Sequence, residues 1–92
     1  MNRREILEAA AAAVTVDRAA THGDAENNFG LIAAYWSAHL DVNVTAHDVA
    51  VMMSMLKLAR IKETPTHADH WVDVAGYAAC GGEIATDREA VE

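Results

Sequence analysis

The sequence specifies an all-α fold, a four-helix bundle-like single domain that completes its core by associating with another copy. Three observations carry this expectation. Apolar residues recur at helical rather than alternating spacing, and β-branched content is too low for a sheet. In addition, the chain is punctuated four times by an N-cap residue followed three positions later by a polar one.

Asn2 with Glu5 opens the first helix, over about 3–16, with Ile6, Leu7, Ala10, Ala13 and Val14 on its buried side. Asp24 with Asn27 opens the second, over about 24–40, whose apolar stripe is Phe29, Ile32, Ala33, Trp36 and Leu40. Thr45 with Asp48 opens the third, over about 45–62. Thr66 with Asp69 opens the fourth, over about 66–85, after Pro65 has closed the preceding turn. The connections are short, which favours antiparallel neighbours, and the charged tail 86–92 is expected to fray. A chain of 92 residues holds one core, so residues 1–92 read as a single domain. Apolar residues make up 52% of it, much of that alanine, and several helices are apolar around most of their circumference. A four-helix monomer cannot easily hide so many faces, which makes a homo-oligomer the economical arrangement.

Charge and composition exclude several classes of function. Fourteen acids against 7 bases give a net charge of −7, and the bases are scattered, so there is no basic face for duplex nucleic acid. The Ala-rich run at 9–14 is too short and too weakly apolar to span a bilayer, and it lacks the layout of a signal peptide. Cys80 is the one cysteine, so neither an intrachain disulfide nor a zinc-ligand spacing exists. These features together point to a cytoplasmic protein without a membrane segment.

The third helix carries the most chemistry. From Val49 to Ile61 it is apolar except for Ser54, Lys57 and Arg60, which fall on one side, with Met52, Met53, Met55, Leu56 and Leu58 around the rest. The methionines read as core filler. Two cations on a narrow stripe require acidic partners, as a structural ion pair, or else they bind phosphate. The fourth helix supplies acids: Asp69 and Asp73 are one turn apart, on a face continued by Gly76, Tyr77 and Cys80. Trp71, Val72, Val74, Ala75, Ala78 and Ala79 then form the expected buried face. Two such carboxylates, with Asp24, can hold Mg²⁺ through oxygen ligands; the plainer reading is a solvated acidic face at a helix N-terminus.

The segment DRAATHGDAENN, 17–28, supplies further candidates: Arg18, His22, Gly23, Asn27 and Asn28. Turn chemistry accounts for Gly23 and Asp24, whereas Asn27 on the first turn of an apolar helix is harder to explain that way. His47-Asp48 and the run from His67 to His70 suggest a metal-dependent HD hydrolase, but that site needs ligands from further helices, and Asp48 is already explained as a cap.

These blocks resemble a small uncharacterised family of phage and prophage helical proteins. The likeness covers about residues 5–80 and is carried by Asp17, Arg18, Thr21, Gly23, Asp24, Asn28 and Phe29, by Lys57 and Arg60, and by Asp69, Trp71, Asp73, Gly76 and Tyr77. His22 stands where Tyr is commoner, and His70 where Ser is commoner. The layout is also similar to phage nucleotide-modification-associated proteins and, more loosely, to the all-α nucleotide pyrophosphohydrolases of the MazG and dimeric dUTPase kind. The resemblance implies a bacterial host cell, an oligomer of four-helix units and Mg²⁺ held by E-x-x-E and E-x-x-D pairs; this chain lacks any E-x-x-E pair on a central helix and offers Asp69 and Asp73.

The leading expectation is therefore a phage-derived protein that binds nucleotides or hydrolyses their phosphates with Mg²⁺. Asp69, Asp73 and Asp24 would hold the metal, Lys57 and Arg60 the phosphate, and Trp36 or Tyr77 would stack on a base. The competing expectation is a non-enzymatic helical interaction module in which the same charges form a structural ion network.

Overall fold

The computed structural model describes residues 1–17 and 25–91 of the chain. Among the described residues there are four α-helices: α1 Arg3–Ala12, α2 Ala25–Leu40, α3 Ala46–Glu63 and α4 Ala68–Val91. There is no strand among the described residues. The expected first helix is divided, because its α-helical part ends at Ala12 and one π-helical turn, Ala13–Asp17, follows. That turn brings Val14 onto the core and into contact with α4.

Two of the four helix starts are built as the sequence specifies. Asn2 Oδ1 accepts from the Glu5 backbone N–H at 2.9 Å, while Glu5 Oε1 accepts from the Asn2 N–H at 2.8 Å. Thr45 and Asp48 repeat the reciprocal arrangement at the start of α3, at 3.2 and 2.9 Å. These bonds satisfy amide donors that the first turn of a helix leaves without partners. The third start differs from expectation. Pro65 sits in a turn in which the His67 N–H donates to the Thr64 carbonyl at 3.1 Å, so α4 begins at Ala68, after His67 rather than Thr66. The fourth, at Asp24, lies outside the described residues. At its far end α4 continues to Val91, through the segment expected to fray, since neither Gly nor Pro interrupts 83–91.

The turn between α2 and α3 is tied by Ser37, whose hydroxyl donates to the Val44 carbonyl at 3.1 Å and accepts from its N–H at 2.8 Å. Asp41, just past α2, takes φ 55°, a left-handed angle that aspartate tolerates better than most residues and that suits a helix end.

α3 and α4 form an antiparallel hairpin. Its core is Val49 and Ala50 of α3 with Cys80 and Ile84 of α4, closed by Phe29 and Ala33 of α2. A Cβ built on Gly81 would lie 2.7 Å from the Ala50 Cβ, closer than real side chains allow. The two backbones therefore approach over small residues.

This packing departs from the expected orientation of α4, whose expected buried residues Val72, Val74 and Ala75 are only half-buried. Gly76, Cys80 and Ile84 face inward, while Trp71, Ala78 and Ala79 are exposed. Trp71 has a partner outside the core, donating from Nε1 to the Pro65 carbonyl at 2.9 Å. A face rich in small residues permits a closer helix contact than one led by an indole, so it is the small face that packs. Leu7 and Leu40, also expected to be buried, are exposed, as are Met52, Met55, Leu56 and Leu58.

Candidate functional site

The polar residues gather at the turn end of the α3–α4 hairpin. Lys57, on the second half of α3, points toward α4 and places Nζ 2.9 Å from Asp73 Oδ2. The lysine side chain is 22% exposed and the aspartate 41%, so the pair bridges two helices at the edge of the core. It answers the requirement that a cation on a largely apolar helix find an acid. Arg60, one turn on, is exposed.

Asp69 does not join Asp73. Its side chain is 81% exposed, and its carboxylate lies 3.8 Å from His67 Nε2. A residue at i and another at i+4 share a helix face only approximately, and here Asp73 turns to α3 while Asp69 turns to solvent. Among the described residues no three His, Cys, Asp or Glu side chains form a group that could hold a metal ion. Asp24, the third expected ligand, lies outside them, as do Arg18, His22, Gly23 and the side chain of Asn27. Asn28 is half-buried on the first turns of α2. Trp36 and Tyr77, considered above as base-stacking candidates, pack against the hydrophobic core, the Tyr77 ring centroid 6.2 Å from that of Phe29.

His70 is the residue at this end whose role was not anticipated. Its ring meets that of His67 edge to face with centroids 4.6 Å apart. Nδ1 is shielded from solvent and has no hydrogen-bond partner among the described residues. Burial holds the imidazole below its ordinary pKa, and His67, Lys57 and Arg60 add to the effect while Asp73 opposes it. The only signal in the sequence was spacing: His70 stands one turn before Asp73, hence on the α3 side of α4. A shallow groove of about 430 Å³ opens here, lined by Thr64, Thr66, His67 and His70.

A second concavity differs in chemistry. Between α1 and α4 an open apolar groove of about 620 Å³ is lined by Ile6, Leu7, Trp71, Val74, Ala75 and Ala78, among others. No helix of the described residues is long and apolar enough to cross a membrane.

A family model described as a domain of unknown function, DUF6378, matches residues 5–85. The Gene 55 protein of Mycobacterium phage L5 is 46% identical over 74 residues, which cover 79% of this chain and 47% of that protein. The Gene 55 protein of Mycobacterium phage D29 is 39% identical over 75 residues, covering 82% and 50% respectively. The chain thus spans about half the length of these curated relatives. No solved structure matches it.

Proposed function

The chain belongs to the DUF6378 family, and we propose that it works as a non-enzymatic helical module, acting by association of apolar helix faces. One observation carries the reading. Large apolar side chains stand exposed on every helix and in the α2–α3 turn, from Leu7 through Leu31, Tyr35 and Val42 to Met55, Leu58 and Trp71. Exposed apolar side chains grouped as they are on α2 and α3 are what interaction surfaces carry in isolation. Lys57 and Asp73 then serve as an ion pair that fixes α4 on α3, leaving the apolar faces to do the binding. The likeness to phage proteins suits a small binding module encoded by a phage, at work in the cytoplasm of its bacterial host. Sedimentation velocity across the micromolar range tests the proposal: the weight-average mass is expected to rise with concentration. A chain that stays monomeric throughout would overturn it.

A second reading has its own support. Lys57 and Arg60 lie close enough to His70 to disfavour its protonation, and the two cations form a cluster beside the groove that His67 and His70 line. In a chain of net charge −7 such a cluster is a candidate for phosphate. This is the nucleotide reading, with Mg²⁺ as its cofactor and the loose likeness to all-α pyrophosphohydrolases behind it. Thermal shift with a panel of dNTPs, with and without Mg²⁺, decides it. A specific ligand at a hundredfold excess over its Kd adds about 2.7 kcal/mol of stability. An unmoved melting temperature with every nucleotide would sink this reading and leave the module.

A further inference from the structure

The outer face of α3 has a pattern that identifies its occupant. At about 100° per residue, Val51, Met52, Met55, Leu58 and Ala59 fall within one arc, roughly opposite Ala50, Met53 and Lys57, which face the hairpin. Val51 is 49% exposed, Met55 59% and Leu58 53%, so α3 presents two turns of apolar surface that no other described helix covers. The arc is bounded along the helix by two charges of opposite sign. Asp48 precedes Met55 by seven residues and Lys62 follows it by seven, so all three lie nearly on one line.

That line is self-complementary in one direction only. Two copies laid parallel would set Asp48 against Asp48 and Lys62 against Lys62. Laid antiparallel about Met55, each Asp48 faces a Lys62, Met52 meets the small Ala59, and Val51 meets Leu58. The antiparallel arrangement also opposes the two helix macrodipoles. Hydrogen bonds from Thr45 hold the Asp48 carboxyl below the ordinary carboxylate range, so it is charged at neutral pH. Its side chain remains 46% exposed despite its part in the cap.

We propose that the outer face of α3 pairs antiparallel with the same face of a second copy, about a two-fold axis at Met55. The interface is isologous, one patch used twice, and closes at two chains. It rests on the module reading above and names that module's partner.

The test joins one charge and two cysteines. Met55→Glu places two carboxylates at the axis and is expected to weaken association by roughly tenfold or more, as like charges across an interface do. Because Met55 is exposed, helicity by circular dichroism should be unchanged. Independently, a mixture of Val51→Cys and Leu58→Cys chains should form a mixed disulfide under mild oxidation in preference to either self-linked product; Cys80 is buried and gives little background. Association that survives Met55→Glu undiminished, or Val51→Cys chains linking chiefly to themselves, would overturn the α3 pairing while leaving the module reading in place. An unaltered chain that never associates would instead remove the module reading itself.

Discussion

At one end of the α3–α4 hairpin Gly81 lies over Ala50, and the space between the backbones is too small for a single added carbon. About two turns away along α4, Asp73 reaches across to Lys57, and the two helices are joined there by an ion pair of 2.9 Å. The first end is dry, closed by Phe29, Val49, Cys80 and Ile84. The second is polar, rimmed by His67, His70 and Arg60. The same pair of helices thus uses close packing where small residues permit it and electrostatics where they do not. The stability of the hairpin should therefore be concentrated at the dry end, because packed apolar volume is worth more than a half-exposed ion pair.

Phe29→Ala is the largest expected perturbation. The ring is 2% exposed and sits between α2 and the hairpin, against Tyr77. Truncation should cost about 3–5 kcal/mol in a urea melt, in line with buried Phe→Ala changes elsewhere. A loss comparable to that of an exposed site would mean that the dry end is not the stabilising one.

Gly81→Ala comes next and probes the close approach directly. Alanine favours a helix by about 1 kcal/mol over glycine, so at an open position the change would stabilise. Here the added carbon meets Ala50 at 2.7 Å, and the helices must part. Overpacking of that kind costs about 1–3 kcal/mol, which leaves a net loss or near-cancellation. Gly82→Ala is the control, since nothing lies within 4 Å of its added Cβ and it should stabilise. If the two alanines behaved alike, the close approach would be wrong.

Much of this fold is legible in the sequence, and the unread part lies in how the elements meet. The caps at Asn2 and Thr45 depend on residues three apart, so a local pattern is enough to find them. So is the demand of Lys57 for an acid, although which acid answered it depended on the register of α4. The inward face of α4 could not be obtained by counting apolar residues. Trp71, Val72 and Val74 outweigh Gly76 and Cys80 in hydrophobicity, yet the contact distance to Ala50 is fixed by small size. Likewise Thr66 matched the capping pattern, but the turn at Pro65 spends one more residue before the helix begins. Of the candidate site, Lys57 and Asp73 come together and Asp69 does not, because one turn of helix is enough to move a side chain from the hairpin edge to solvent.

The polar end offers smaller effects. Lys57→Met keeps the apolar stem and removes the charge. Asp73 is exposed enough to be rehydrated, so the loss should be no more than about 1 kcal/mol. A double-mutant cycle with Asp73→Ala isolates the coupling between the two. A loss as large as that of Phe29→Ala would erase the contrast between the ends.

The smallest effect is in pH dependence, and it reads the polar end without disturbing it. The His70 imidazole is held below its ordinary pKa by burial first, then by the positive charges of His67, Lys57 and Arg60. The unfolded chain, with an ordinary imidazole, therefore takes up the proton at a higher pH than the native chain does. As pH falls through the ordinary histidine value of 6.5, stability should begin to drop, and the drop should continue until the native His70 also titrates. His70→Asn should flatten that part of the profile. Lys57→Met removes one of the charges that oppose protonation and frees Asp73 to favour it, so NMR titration of the His70 ring should show its pKa rising in that variant. If the ring titrated unchanged in Lys57→Met, Lys57 would lie too far from it for the polar end to act as one electrostatic unit.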